Sequence, residues 1–130
     1  MKTRLVQILA LSLPFLFVQT ALAEPISLRL APGARGEIAL EENPSTGYVW
    51  RIDAAKSVNA EIVGIENRGF TRPAVPEAAP ARIGAPGVHK WTVEALAAGG
   101  AKILFVLERP FEHGKRPVRT QEVEVTVESR

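Results

Sequence analysis

An alternation of apolar and polar residues with a period of two runs through most of this sequence after residue 25, and it constrains the fold more than any other feature. Successive side chains of a β-strand point to opposite faces of a sheet, so this period marks strands with one buried face. The clearest case is QEVEVTVE near the C-terminus, where Val123, Val125 and Val127 alternate with polar residues. No segment there carries the period of 3.6 that indicates an amphipathic helix. The pattern predicts an all-β fold.

Seven short segments show the strand pattern. They are residues 26–30, 37–41, 48–53, 59–66, 89–95, 102–108 and 121–128. Turn signals such as APGARG, AAGG and EHGKRP separate them. The segment 102–108 is apolar on both faces, which is typical of a central strand. Seven strands in a chain of this length predict an immunoglobulin-like β-sandwich of two sheets.

The first 23 residues have the composition of a signal peptide. Lys2 and Arg4 precede an apolar run over residues 5–18, and small residues follow at 21–23. The run is shorter than the ~20 residues that a membrane span needs, although a retained N-terminal anchor is the alternative. We therefore expect cleavage after Ala23, a single domain over residues 24–130, and a periplasmic or secreted protein with no membrane attachment.

Charge and cysteine content exclude several functions. The chain has 16 basic and 14 acidic residues, and removal of Lys2 and Arg4 with the signal leaves 14 of each sign. No basic stripe remains, so we expect no nucleic-acid partner. The chain contains no cysteine. An exported domain of this kind must be stabilised by its core alone, and it has neither a Cys nucleophile nor a thiolate metal site.

The sequence contains no recognisable catalytic or metal-binding motif. The two histidines, His89 and His113, are 24 positions apart and show no metal-ligand spacing. His113 is interpreted as a solvated loop residue and His89 as a surface residue of a strand. Ser45, His89 and Asp53 make a triad on paper, but no GxSxG turn surrounds the serine. Glu41–Glu42 is interpreted as a pair of solvated charges beside a turn. We expect no enzymatic activity, no metal and no cofactor.

A proline-rich stretch interrupts the strand pattern at residues 67–87. Proline cannot donate to a β-ladder, so this stretch is expected to form a long loop. Loops of ~20 residues are often functional. Residues 71–81 are nevertheless interpreted as an insertion without a role, whereas IGAPG at 83–87 leads directly into the strand that carries Trp91.

Three motifs stand beside strand ends: NPSTGY at 43–48, GAPG at 84–87 and RPF at 109–111. They follow the second strand, precede the fifth and follow the sixth, so a sandwich can bring them together at one pole. Each contains a proline that restricts φ and lowers the entropy lost on binding. An Asn at the start of a turn can also accept a hydrogen bond from backbone two residues on. Phe111 beside Arg109 combines residue types common in binding hot spots.

These motifs, in this order and behind a signal peptide, resemble the chagasin-like inhibitors of papain-family cysteine proteases. The pattern of that family is N-P-[ST]-T-G-[FY], then a G-x-x-G or G-x-G element, then R-P-[WF]. The resemblance implies that residues 45–47 meet the catalytic Cys–His pair of the protease. It implies that residues 84–87 lie along the substrate subsites and that 109–111 stack on the leaving-group side. Tyr48 and Trp50 are expected to anchor the base of the first loop.

The resemblance therefore predicts a monomeric, reversible, tight-binding inhibitor whose partner is a papain-like cysteine protease. The predicted protease-binding residues are Asn43, Pro44, Ser45, Thr46, Gly47, Tyr48, Gly84, Ala85, Pro86, Gly87, Arg109, Pro110 and Phe111. Phe111 stands where the family commonly has tryptophan, and Pro86 removes one backbone donor. An adhesion or assembly module that binds another partner through the same loops is the alternative, and a hydrolase using Ser45 is a weaker one.

Overall fold

The computed structural model describes residues 23–72, 86–112 and 114–129. Seven β-strands make up the fold over these ranges: β1 (Ile26–Leu30), β2 (Arg35–Glu42), β3 (Val49–Ile52), β4 (Val63–Thr71), β5 (Gly87–Ala95), β6 (Gly99–Glu108) and β7 (Arg119–Val127). Three single turns of 3₁₀-helix lie between them, at Pro44–Thr46, Ala54–Lys56 and Ala60–Ile62. Over the same ranges, no helix is long and apolar enough to cross a bilayer. The all-β fold of seven strands is confirmed.

The strands form two sheets. One has four strands in the order β1-β7-β6-β3, and the other has three in the order β2-β5-β4. Strand β1 pairs with β7 in parallel, whereas the other neighbours are antiparallel. The prediction that 102–108 forms a central strand is confirmed, because β6 lies between β7 and β3.

The core lies between the two sheets, where the inward positions of the alternating pattern meet. Val123, Val125 and Val127 of β7 are at most 3% exposed, as their alternation predicts. Trp91 of β5 packs edge-on against Phe105 of β6, with ring centroids 4.7 Å apart. This contact joins the two sheets, and burial of large apolar side chains of this kind is the main stabilising contribution in a domain without disulfides.

The fourth strand is displaced from its predicted position. It was expected over residues 59–66, but Asn59 adopts a left-handed conformation (φ 53°) and starts a 3₁₀ turn, so β4 begins only at Val63. It then continues to Thr71 through a bulge between Asn67 and Gly69. The prediction of a loop beginning at residue 67 is therefore wrong as far as Thr71. Residues 73–85 of the predicted loop lie outside the described residues, as do residues 1–22 of the predicted signal peptide.

Strand ends place the described parts of the three motifs at the same pole of the sandwich. The last residue of β2, Glu42, pairs in register with Gly87, the first residue of β5. The first residue of β3, Val49, pairs with Glu108, the last residue of β6. The opposite pole carries the turn between β5 and β6, where Gly99 pairs with the last residue of β7.

Candidate functional site

The first motif folds into a tight turn that is held by its own hydrogen bonds. Asn43 Oδ1 accepts from the backbone N–H of Ser45 at 3.2 Å and from its hydroxyl at 2.6 Å. Thr46 Oγ1 donates to the carbonyl of Asn43 at 2.7 Å, and Gly47 N donates to the carbonyl of Pro44 at 3.0 Å. Gly47 closes the turn in the left-handed region (φ 80°), which glycine adopts without strain. The predicted role of Asn43 in fixing its own turn is confirmed.

This turn, Asn43–Gly47, presents small uncharged groups to solvent and is called the tip below. Pro44, Ser45 and Thr46 are exposed, and no residue of the tip is buried. Because the hydrogen-bonding groups within the turn satisfy one another, the tip keeps its shape without contacts from a partner. A surface of this kind suits insertion into a narrow groove.

The third motif contacts the tip directly. Arg109 Nε donates to the carbonyl of Thr46 at 3.1 Å, and the guanidinium lies 4.3 Å from the centre of the Tyr48 ring. Gly47 faces Phe111, since a Cβ on Gly47 would lie 3.3 Å from the edge of that ring. Phe111 itself is 68% exposed, so it belongs to the surface and not to the core. The structure thus brings the first and third motifs together.

A carboxylate holds Arg109 from its other side. Glu112 Oε1 accepts from Arg109 Nη1 at 3.0 Å, and Lys115 Nζ lies 3.3 Å from the second oxygen. The hydrogen bond from Arg109, with a smaller contribution from Lys115, lowers the pKa of Glu112 below its ordinary value. The Arg109 guanidinium therefore contacts the tip, the Tyr48 ring and the Glu112 carboxylate at the same time.

The second motif reaches the same pole with the residues that the structure describes. Pro86 is exposed, and Gly87 is buried beside Glu42 at the start of β5. A Cβ on Gly87 would lie 2.5 Å from both the carbonyl oxygen of Thr71 and the Phe70 ring, so only glycine fits there. Gly84 and Ala85 lie outside the described residues.

Beneath the tip, Glu42 is buried, and its interpretation as a solvated charge is wrong. It is 4% exposed. Its Oε1 accepts from the backbone N–H of Trp50 at 2.8 Å, and the Trp50 indole N–H donates to the carbonyl of Glu41 at 2.8 Å. These two bonds join the strand before the tip to the strand after it. The predicted anchoring role of Trp50, which is 6% exposed, fits this arrangement.

His89 lies in a strand, as predicted, but its interpretation as a surface residue is wrong. Its side chain is 12% exposed, stacks on the Trp91 ring at 4.1 Å and contacts Glu42 through Nδ1 at 2.9 Å. The sequence carries a signal for both errors. Glu42 continues the inward row of Ile38 and Leu40, and His89 precedes Trp91 in the inward row of β5. Two polar residues near the ends of neighbouring inward rows on the same sheet predict a buried pair. His113 lies outside the described residues.

The triad that can be composed on paper is not assembled. The Ser45 hydroxyl bonds to Asn43, and Asp53 Oδ1 accepts from the backbone N–H of Lys56 at 3.4 Å. His89 is held by Glu42 and by Asn67. Within residues 23–72, 86–112 and 114–129, no group of three His, Asp or Glu side chains is arranged to hold a metal ion.

The chain is a two-sheet β-sandwich with the described parts of its three loop motifs at one pole. The family model described as Chagasin family peptidase inhibitor I42 matches residues 29–127. The chain belongs to this family of peptidase inhibitors, as its loop motifs predict.

Solved structures share the fold. The cysteine protease inhibitor EhICP2 from Entamoeba histolytica is similar at 24% identity, over 80% of this chain and 87% of that one, with a TM-score of 0.63. Amebosin is similar at 27% identity, over 78% and 88% of the two chains, with a TM-score of 0.55. PbICP-C, solved in complex with falcipain-2, is similar at 22% identity, over 81% and 88%, with a TM-score of 0.50. Among curated proteins, no sequence matches this chain significantly.

Proposed function

We propose that this chain inhibits papain-like cysteine proteases reversibly, by filling the active-site cleft with three loops from one pole of the sandwich. Membership of a peptidase-inhibitor family supports the class of activity. The similar fold of PbICP-C, solved with falcipain-2 bound, supports a protease as the partner. The observation that carries the proposal is the hydrogen bond from Arg109 to Thr46, because it joins two of the three loops into one rigid surface.

The tip enters the cleft and meets the catalytic Cys–His pair without being cleaved. Attack by a thiolate requires a carbonyl held at about 3–3.5 Å in a near-attack geometry. In the tip, the carbonyls of Asn43, Pro44 and Thr46 accept hydrogen bonds from within the inhibitor. The backbone there forms a 3₁₀ turn and not an extended strand. The tip therefore occupies the groove while its carbonyls remain engaged elsewhere.

The other two loops bind on either side of the tip. Residues 84–87 lie along the substrate subsites, with the backbone before β5 pairing with backbone of the protease. On the other side, the 68% exposed Phe111 ring stacks on apolar protease surface on the leaving-group side. Arg109 holds this loop against the tip, so its role is to orient the loop as well as to contact the enzyme.

Tight binding follows from pre-organisation. An interface of ordinary protease–inhibitor size buries ~1,600 Å² in total, and its affinity depends on how little ordering it requires. The tip is already closed by five internal bonds donated by Ser45, Thr46 and Gly47. Little conformational entropy remains to be lost when it docks. The chain acts by occlusion and performs no catalysis of its own.

Titration of papain with the purified protein tests the proposal. Activity should fall in proportion to added inhibitor until equimolar, and it should return when the complex is diluted extensively. A flat titration curve at micromolar excess would instead favour the adhesion or assembly module. Slow degradation of the tip during the assay would show that it is bound as a substrate.

Export is the second part of the proposal. Residues 1–23 act as a cleavable signal, and the remaining domain works in the periplasm or outside the cell as a monomer. Mass spectrometry of the protein from the exported fraction should give the mass of a chain starting at Glu24. Gel filtration of the same sample reports whether it is a monomer. A protein that retains residues 1–23 in the membrane fraction would contradict the signal-peptide assignment.

A further inference from the structure

Three polar side chains form a row across the three-stranded sheet directly beneath the tip. Glu42 ends β2, His89 lies in β5, and Asn67 lies at the bulge of β4. His89 Nδ1 is 2.9 Å from Glu42 Oε2, and His89 Nε2 is 2.6 Å from Asn67 Oδ1. The Glu42 side chain is 3% exposed. Burying a carboxylate costs free energy unless it is paired, and His89 is the side chain that pairs with Glu42 here.

Both atoms that face the imidazole ring are hydrogen-bond acceptors. A glutamate carboxylate accepts only. The amide of Asn67 is oriented by the backbone of the bulge, since Gly69 N–H donates to its Oδ1 at 2.9 Å. Turning the amide over would place its NH₂ group against that N–H. With the amide in this orientation and Glu42 as a carboxylate, each ring nitrogen of His89 is the donor in its hydrogen bond.

The surroundings of the ring favour a positive charge. Glu42 supplies a negative charge from β2, and the Trp91 ring is stacked on the imidazole at 4.1 Å with an interplanar angle of 3°. The residues in register with His89 on the neighbouring strands are Leu40 and Phe70, which are both apolar. Within the described part of the chain, Glu42 is the charged group in hydrogen-bonding contact with this ring. A cation over an indole face is attracted by the ring quadrupole.

Glu42 transmits this arrangement to the tip. Its second oxygen accepts from the N–H of Trp50, which belongs to the other sheet, and Asn43 of the tip follows Glu42 in the chain. The carboxylate thus joins β5 of one sheet to β3 of the other at the position where the chain leaves for the tip. If the carboxylate moves, the strand before the tip and the strand after it are no longer held together by this hydrogen bond.

We propose that Glu42, His89 and Asn67 form a positioning cluster, with His89 as a doubly protonated bridge, that fixes the direction of the tip for protease binding. The cluster touches no protease atom. It acts through the tip, and this role rests on the inhibitory function proposed above.

Nitrogen-15 NMR of the ring tests the bridge directly. The chain has two histidines, so spectra of the protein and of the His113→Gln variant at pH 7 assign His89. Both ring nitrogens of His89 should show the shift of protonated nitrogen, at a pH where an unpaired histidine is mostly neutral. In Glu42→Gln, the new NH₂ can donate to Nδ1, so His89 should become neutral with its proton on Nε2. A neutral ring in the unsubstituted protein would overturn the bridge.

Inhibition of papain tests the positioning role. Leu96→Ala is the control, because Leu96 is 59% exposed in the turn between β5 and β6 at the opposite pole, and its inhibition constant should equal that of the parent. His89→Phe keeps the stacked ring but leaves the carboxylate without its partner, and its inhibition constant should rise about tenfold or more. Backbone amide signals of Ser45–Gly47 should shift in this variant, while those of Gly99–Gly100 at the far pole should not. Unchanged inhibition by a folded His89→Phe would overturn the role.

A milder variant covers the case in which His89→Phe does not fold. Asn67→Ala removes the outer acceptor and leaves the buried pair intact, so it should fold and weaken inhibition by about threefold. Inhibition equal to that of the parent would then overturn the positioning role. If the parent protein fails to inhibit any papain-like protease, the proposed function fails, whereas the NMR result still decides the state of the cluster.

Discussion

The tip and the base beneath it achieve rigidity in opposite ways. The tip, Asn43–Gly47, is exposed and uncharged, and it is held by short-range bonds among its own residues. The base consists of Glu42, Trp50, Gly87 and His89, which come from three strands, β2, β3 and β5, and are closely packed at the sheet ends. Because of this difference, we expect affinity and stability to be separable at this pole. Substitutions in the tip should change inhibition alone, and substitutions in the base should change stability as well.

The largest effect is expected in the base, at Trp50. Trp50→Ala removes a side chain that is 6% exposed together with its indole hydrogen bond to Glu41. Truncation of a large buried aromatic residue lowers the free energy of unfolding by about 3–5 kcal/mol. Urea denaturation followed by circular dichroism measures this change. Leu96→Ala is the control, because Leu96 is 59% exposed and should lose little. A loss for Trp50→Ala as small as that of the control would mean that the base does not stabilise the domain.

Gly87 should show the next largest effect. Gly87→Ala places a methyl group 2.5 Å from the Thr71 carbonyl oxygen, so the strands must separate locally. Overpacking of this kind costs about 1–3 kcal/mol of stability. Gly100→Ala is a matched control in a strand, because no atom lies within 4 Å of the added Cβ. Equal melting temperatures for the two variants would contradict the close packing described at Gly87.

Substitutions in the tip should reverse this balance between stability and inhibition. Gly47→Asp puts a side chain on a residue with φ 80°, toward Phe111, and Thr46→Ala removes the hydroxyl bond to Asn43. Each should weaken inhibition by about 1–2 kcal/mol, which is five- to thirtyfold, because the tip loses the shape that enters the cleft. Phe111→Ala should weaken inhibition less. Circular dichroism of all three variants should remain that of the parent. Unfolding of these variants would show that the tip is structural.

The smallest effect concerns the ion pair that supports Arg109. Because the folded state lowers the pKa of Glu112, the pair contributes stability at neutral pH, and this contribution is lost as the pH falls through the lowered pKa. The pair is at the surface and partly exposed, so the change is small and weakens with added salt. Thermal unfolding of the parent and of Glu112→Gln between neutral and acidic pH measures it. The two curves should converge at acidic pH, and a constant separation would assign the effect to packing.

The alternating pattern predicts most of the fold, because sheet burial depends on side-chain direction alone. It fails at β4, where Asn59 has a left-handed conformation and a bulge lies between Asn67 and Gly69. Both features depend on local backbone angles, which the alternation of side chains does not report. The three motifs predict which loops meet, but not the bond between Arg109 and Thr46, since no pattern within one segment specifies a partner 63 residues away. The type of a single polar residue does not predict that Glu42 and His89 are buried. Their positions in neighbouring inward rows of the same sheet do.

The pairing of the first and last strands has a practical consequence. Strand β7 ends beside Gly99, at the pole opposite the tip, and Glu128 N–H is tied there to the carbonyl of Leu30. The ten residues of β6 separate the two poles by about 30 Å, at about 3.4 Å per residue. A fluorophore or a surface tether attached after Glu128 would therefore leave the loops unobstructed. Every immobilised molecule would present the same end to an enzyme in solution.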